Sequence, residues 1–506
     1  MKPTGFLFRV SAVPLLSLLT ACAVGPDYHQ PAPPNVVGYT ALVLPTATTR
    51  AGGVAQTYVS GEDISADWWT LFRSPELNGL ITAALQNSPN LEAAKQTLIE
   101  AEENVRAEQG NFFPSASGSF QAEREQISSA ELASAGDTSA ASTSSLTIPP
   151  FTVYDASVSV SYNPDVFGGV RRQVENLAAQ ADYERFELEA AYLSLTANIV
   201  TAAVNEASLN AQVAATRQIV AAEQNQLDIL NKQFSFGGVP KADVLSEQAT
   251  LESTIAGLPP LESALSQARN QLADLVGVFP ANFHIVDFTL DSLTLPENLP
   301  VSLPSALVDQ RPDIQAAAAQ LHEASASLGV ADANMLPQIS LSADFGHEAL
   351  DSGTLFTPQT LMWSLVAGIT QPIFEGGTLS AKRKAALAAL RGAGATYQET
   401  VLGAFENVAN VLAALQFDAA TLDADQAAAQ AAARSLAVTQ SQYQLGGQPF
   451  TAVLTQQTTY QNALIASVKA QAVRLSDTAA LYQALGGGWW HRDDAGAAGN
   501  CCGLIP

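Results

Sequence analysis

QFSFGGVPKADVLSEQ, residues Gln233 to Gln248, returns later in the chain as QYQLGGQPFTAVLTQQ, residues Gln442 to Gln457, with seven of the sixteen positions identical. In each copy a Gly-Gly pair is followed two residues on by proline: Gly237, Gly238 and Pro240 in the first, Gly446, Gly447 and Pro449 in the second. Glycine ends a helix by taking the left-handed conformation that its last turn needs, and proline is tolerated where the next helix begins. Both stretches therefore predict a helix that stops, turns and restarts as a hairpin.

Working outward, no proline interrupts the chain from Gly168 to about Phe236 or from Gly376 to about Leu445. Either stretch makes a helix roughly 100 Å long at about 1.5 Å per residue. Further upstream PNLEAAKQTLIEA (Pro89 to Ala101) matches PDIQAAAAQLHEA (Pro312 to Ala324), and Pro114 falls against Pro337 at the same offset. The chain is thus an internal duplication. Each half runs helix, two short alternating segments, very long helix, Gly-Gly turn, helix.

Along the first long helix, Leu188, Tyr192, Leu195, Ile199, Ala202, Leu209 and Val213 recur at four-three spacing, broken at Glu206. Such a seam marks a helix that packs against other helices. The short segments follow period two instead. Ala116, Gly118, Phe120 and Ala122 alternate with Ser115, Ser117, Ser119 and Gln121, and Ala156, Val158, Val160 and Tyr162 alternate with Asp155, Ser157, Ser159, Ser161 and Asn163. In the second half Ile339, Leu341, Ala343 and Phe345 alternate with Gln338, Ser340, Ser342 and Asp344, and Trp363, Leu365, Ala367 and Ile369 form a last apolar row. These are strands with one apolar and one small polar face. That pattern suits a transmembrane barrel with lipid outside and water within, but four strands cannot close one, so copies from other chains are required. A soluble sheet on a hydrophobic core shows the same alternation.

The N-terminus argues for the membrane. Lys2 and Arg9 precede an apolar run from Val10 to Leu19, too short to span a bilayer, and the run ends in Leu19-Thr20-Ala21-Cys22. This resembles a bacterial lipobox, whose cysteine is acylated after cleavage; Ala23 in the next position resembles lipoproteins sorted to the outer membrane. Residues 1–21 are accordingly expected to be a signal peptide, and Cys22 the lipid attachment site.

Composition excludes several functions. Lys and Arg total 23 against 48 Asp and Glu, a formal charge of -25, which repels nucleic acid. His29, His284, His322, His347 and His491 are scattered without ligand spacing, no nucleotide loop or nucleophile motif occurs, and neither a metal, a cofactor nor catalysis is expected. Cys501 and Cys502 are neighbours, with Cα atoms about 3.8 Å apart, which strains a disulfide. They suggest no disulfide framework.

With these pieces in place the chain resembles the outer-membrane efflux factors, the TolC-like export ducts, and among them the NodT-type lipoproteins. The resemblance rests on Cys22-Ala23-Val24-Gly25-Pro26-Asp27-Tyr28, Asp67-Trp68-Trp69-Thr70-Leu71-Phe72, Gln310-Arg311-Pro312-Asp313-Ile314 and Leu485-Gly486-Gly487-Gly488-Trp489. It implies a mainly α fold with a membrane β-barrel: a homotrimer whose twelve-stranded barrel continues as a twelve-helix periplasmic tunnel. It further implies a passive outer-membrane channel of a tripartite efflux pump, lipid-anchored and extending into the periplasm, with a periplasmic adaptor protein and an inner-membrane efflux pump as partners. The adaptor-contacting tips would be Gly237, Gly238, Pro240, Gly446, Gly447 and Pro449. Where several family members place an aspartate ring at the constriction, this chain has Thr455, with Thr451 one turn earlier; Asp243 in the first tip could supply the charge instead. The alternative, a lipid-anchored coiled-coil scaffold or adhesin without a lumen, would not need four strands with a consistently apolar face.

The expected division is an acylated segment and belt over 22–75, a first repeat over 76–257 with its strand hairpin at 115–164, and a connector and equatorial belt over 258–304. A second repeat follows over 305–485 with its strand hairpin at 338–372, and then a tail, 486–506.

Overall fold

The computed structural model describes residues 23–40, 44–126, 149–284 and 287–492. Cys22 and the signal segment, most of the Ser/Ala-rich loop between Gln126 and Pro150, and Cys501 and Cys502 lie outside the described residues. The chain is mainly helical with short strands. In order come β1 (Thr57–Ser60), α1 (Pro75–Asn87), α2 (Pro89–Gln109), β2 (Ser115–Glu125), β3 (Phe151–Tyr162), α3 (Gly169–Ser235), α4 (Lys241–Val276), β4 (Asn298–Val301), α5 (Pro304–Gln310), α6 (Pro312–Ala333), β5 (Gln338–Ala349), β6 (Leu361–Thr370), α7 (Thr378–Gln444) and α8 (Phe450–Ala484). The two proline-free stretches are the 67-residue helices α3 and α7.

Contacts divide the chain into two units, one of residues 1–29, 100–181 and 320–394, the other of 30–99, 182–319 and 395–506. The first holds one antiparallel sheet in the order β2-β3-β5-β6. Its register sets Ser115, Ser117 and Ser119 opposite Ser161, Ser159 and Ser157, and their hydroxyls bond across the strands at 2.8, 3.0 and 2.9 Å. On that face β3 places Asp155 opposite Glu348 and Ser159 opposite Asp344 of β5. The other face carries Phe120, Val158, Phe345, Trp363, Leu365 and Ile369, all exposed, with Trp363 74% and Leu365 75% accessible. An uncovered apolar face of this size costs free energy in water and implies another solvent or another chain against it.

In the same unit the segment after Cys22 is clamped to α3. Arg172, buried, donates from Nε to the Val24 carbonyl at 3.0 Å and pairs with Asp27 at 2.8 Å and Glu175 at 2.7 Å. Glu175 in turn meets His322 Nε2 of α6 at 2.9 Å, and the His322 ring stacks on Tyr28 with centroids 4.3 Å apart. His322 is therefore a packing residue. Gly25, at φ 99°, lies so close to Gly329 that a Cβ would sit 2.4 Å from its Cα, so only glycine fits.

The second unit holds the main core. Trp68, Trp69 and Phe72 are buried, with Trp68 stacked on Tyr482 of α8 at 5.2 Å. Around them lie Ile199 and Val204 of α3, Leu272 of α4, Val408 and Leu412 of α7, and Leu299 from the parallel pair β1-β4. Burying side chains of this kind stabilises by about 1.5 to 3 kcal/mol each before entropy is set against it. The segment before β1 is held by Arg474 of α8. This side chain, 1% exposed, donates to the carbonyls of Ala51 at 2.9 Å and Val54 at 3.2 Å and to Gln56 Oε1 at 3.2 Å.

Two boundaries differ from the sequence reading. The connector does not begin at 258, because α4 runs through Pro259 and Pro260 to Val276 and is capped by Gly277 at φ 78°. Pro259 and Pro260 leave the carbonyls of Ile255 and Ala256 without helical donors. That turn is exposed, so water can serve them instead. The C-terminal segment also does not begin at 486 as a loose tail. Trp489 donates from Nε1 to the Gln310 carbonyl at 2.8 Å, and Arg492 pairs with buried Glu189 at 2.8 Å and covers the Tyr192 ring. Gly488, at φ 73°, sits where a Cβ would lie 2.5 Å from the Ile64 carbonyl, so only glycine fits there.

Candidate functional site: the paired hairpin tips

The two hairpin turns have the same hydrogen-bond geometry. At the first, Gly238 donates its N–H to the Gln233 carbonyl at 2.8 Å and Gly237, at φ 73°, to Phe234 at 2.9 Å; at the second, Gly447 donates to Gln442 at 2.8 Å and Gly446, at φ 77°, to Tyr443 at 2.9 Å. The left-handed glycine followed by a bond back across the turn satisfies carbonyls that a helix end leaves open. Pro240 and Pro449, both in extended geometry, are the N-caps of α4 and α8. A proline in that position needs no donor, and its fixed φ aims the returning helix.

The tips also share one small core. Leu230 and Val244 of the first hairpin pack with Phe450 and Val453 of the second, all buried, with Leu227, Val239, Leu436, Tyr443 and Leu454 around them. Phe236 and Leu445, equivalent in the repeat, stand out beyond it at 89% and 87% exposure. Lys241 Nζ lies 5.3 Å from the Phe234 ring centroid.

Thr451 and Thr455 share an exposed face of α8, and the Thr455 hydroxyl donates back to the Thr451 carbonyl at 2.9 Å. Asp243 lies in the first turn of α4, where a carboxylate complements the helix dipole. Burial and, less strongly, the Asp243 charge push the Tyr443 hydroxyl above its ordinary range. Tyr443 belongs to the second tip, so the Asp243 charge is felt there. No hydrogen bond joins Asp243 to either threonine among the described residues.

Behind the tips sit buried acids, of which the sequence reading marked only Glu206. Glu206, the break in the α3 seam, is fully buried and bonded to Arg269 of α4 at 3.0 Å and to the Phe288 N–H at 3.0 Å. Burial raises its pKa, opposed by Arg269. Closer to the tips, Glu223 of α3 and Glu247 of α4 are 1% and 0% exposed. The seam offered a signal for them. Val244, Glu247, Leu251 and Thr254 are buried at three-four-three spacing on α4, and Glu223 continues the four-three row of α3.

A sheet with one apolar exposed face, joined in sequence to very long helices that end in matched turns, defines the channel-forming class of outer-membrane proteins. The family model for outer membrane efflux proteins matches residues 80–278 and 303–487, and the chain belongs to that family. It is 29% identical to the pyoverdine export outer membrane protein OpmQ of Pseudomonas aeruginosa, over 83% of this chain and 87% of that protein. To the outer membrane protein OprJ of the same species it is 27% identical over 95% and 96% of the two chains. Among solved structures it superposes on the OprN outer-membrane channel with a TM-score of 0.81 at 24% identity, covering 92% of this chain and all of that one. The Campylobacter jejuni CmeC channel gives 0.82 at 20% identity, covering 94% and 97%. The protein is an outer-membrane channel of the efflux type and not an enzyme. The scaffold or adhesin alternative falls with that assignment.

Proposed function

We propose that three copies of the chain close their sheets into one twelve-stranded barrel in the outer membrane, and that their helices form a tunnel through which small molecules leave the periplasm. The observation that carries this reading is the sheet itself. Its order leaves β2 and β6 as edges, its serine and carboxylate face suits a watery lumen, and its apolar face is uncovered. Supporting it, Leu402, Phe417 and Val438 on α7 are exposed. In an assembly these are covered by a neighbouring copy. The trimer is tested by native mass spectrometry in mild detergent together with single-channel conductance of the same sample. Stable monomers or dimers that nonetheless conduct would overturn it.

Within that assembly the tips at Gly237, Gly238, Pro240, Gly446, Gly447 and Pro449 dock a periplasmic adaptor, with Phe236 and Leu445 as the apolar residues that it covers, and the adaptor joins the channel to an inner-membrane pump. Thr451 and Thr455 line the constriction, with Asp243 beside it. Cys22 carries the covalent lipid, and the Arg172 clamp on Val24 and Asp27 sets where that anchor leaves the fold.

A further inference from the structure

The seam of α3 carries two buried acids that are treated differently. Glu206 has Arg269. Glu223 has no such partner: the Thr254 hydroxyl on α4 is committed to the Thr250 carbonyl at 3.1 Å, and the second buried carboxylate of this region, Glu247 of α4, feels the Glu223 charge. Among the described residues no lysine, arginine or histidine forms an ion pair with Glu223 or Glu247, and the charge acting on Glu247 is that of the other acid. Glu223 Oε2, both oxygens of Glu247 and Gln457 Oε1 have no hydrogen-bond partner, and these side chains are at least nine-tenths buried. Two uncompensated charges inside a packed bundle are too costly to persist together. The pair is also confined to one half of the duplication: at the repeat offset, Ala432 and Gln456 stand where Glu223 and Glu247 do.

We propose that Glu223 and Glu247 form an internal proton-binding site that holds the first hairpin packed against the second at the tips when a proton is bound and loosens that packing when it leaves. Three helices meet there, α3 and α4 from the first hairpin and α8 from the second, one turn from the shared core of Val244 and Val453. Loss of the proton leaves two like charges on α3 and α4 with no cation paired to either and three of their four oxygens without a donor. The lowest-energy relief is to admit water, which requires α4 to move away from α8. This rests on the reading of the tips as the closed end of the channel.

The direction follows from burial, the larger cause, and from the Glu223 charge, which together push the Glu247 carboxyl from its ordinary 4.5 up to about 7. A carboxyl held up in the packed form favours that form where it keeps its proton. The advantage is complete below 4.5 and is lost as pH rises to about 7. A second carboxyl, Asp477, is pushed up in the same way by burial and by Asp418, away from the tips, and serves as the control.

The experiment uses the full-length channel with EDTA present. Hydrogen-exchange protection of the first turns of α4, corrected for intrinsic rate, and open probability in planar bilayers are followed from pH 5.5 to 7.5. Wild type is expected to lose protection and gain open probability about tenfold over that range. Glu247→Gln and Glu223→Gln flatten the response, while Asp477→Asn keeps it. A response unchanged in Glu247→Gln, or abolished by Asp477→Asn, overturns the proposal. So does a loosening at pH 7.5 that calcium or magnesium, added without EDTA, reverses in wild type but not in Glu247→Gln, since the site would then hold a metal cation. A change in protection that follows the two glutamates without a change in conductance upholds the proton site and removes the tips from the constriction.

Discussion

Glu206 and Arg269 meet across the first hairpin with Oε1 and Nε 3.0 Å apart, the carboxylate fully buried and the guanidinium partly exposed. The second carboxylate oxygen accepts the Phe288 N–H, so one side chain ties both α4 and the connector to the seam of α3. Arg269→Ala strands a charge in the core and is expected to cost about 3 kcal/mol or more. Glu206→Leu with Arg269→Met should cost less than Arg269→Ala alone, with the orphaned Phe288 N–H as its residual penalty. Thermal unfolding of the single and double variants in one detergent measures the difference, and equal losses would contradict the assignment.

Arg474 predicts a local defect of another kind. Replacing it with methionine removes the donors to the Ala51 and Val54 carbonyls while keeping most of the buried volume. A loss of about 2 to 4 kcal/mol is expected from leaving buried acceptors unpaired. Limited proteolysis should then cut between residues 47 and 57 well before the helices. Lysine is expected to rescue only part of the loss, because its single ammonium cannot reach the spread of acceptors that the guanidinium serves.

The clamp on the N-terminal segment is separable from the bundle. Arg172→Ala and Gly25→Ala remove opposite sides of the same contact, the first by deleting the donors to Val24 and Asp27, the second by driving a Cβ into Gly329. Both should expose residues 23–29 to aminopeptidase or protease in a protein purified without its lipid, with the unfolding temperature of the helices little changed. A large fall in that temperature for both variants would show that the clamp supports the fold.

Acylation is decided at the N-terminus. Mass spectrometry of the mature protein should find Cys22 as the first residue, carrying lipid. Cys22→Ser should reduce delivery to the outer membrane more than it reduces folding. An unmodified Cys22, or cleavage elsewhere, would remove the anchor from the account.

At the proposed constriction, Thr455→Asp should create block by divalent cations from the tip side. In the proposed trimer three carboxylates would come together, and a hard divalent ion favours such an oxygen ring, whereas hydroxyls bind it weakly. Thr455→Ala should alter resting conductance modestly, because the native hydroxyl is already bonded to the Thr451 carbonyl. Strong block of the wild type, undiminished in Thr455→Ala, would move the constriction to another residue, with Asp243 the first to test.

The duplication, the two long helices, the Gly-Gly turns and the four strands were legible in the residue order because each depends on local periodicity or on a backbone conformation that only certain residues adopt. Gly237 and Gly446 announce their turns through φ alone, and the alternation of serine with Ala, Val and Phe sets the faces of β2 and β3 before any partner is known. The helix running through Pro259 and Pro260 was hidden, since whether water can serve the two freed carbonyls depends on exposure. The parallel pairing of Thr57–Ser60 with Asn298–Val301, the Arg474 anchor and the packing of Trp489 on Gln310 join residues hundreds of positions apart, where no local pattern links the partners. Glu206, Glu223 and Glu247 divide the two sources most sharply. Their spacing places all three on buried seams. Only the tertiary structure decides that Glu206 meets an arginine while Glu223 and Glu247 pair with no cation among the described residues, because the free energy of a buried charge is set by what lies across from it in space.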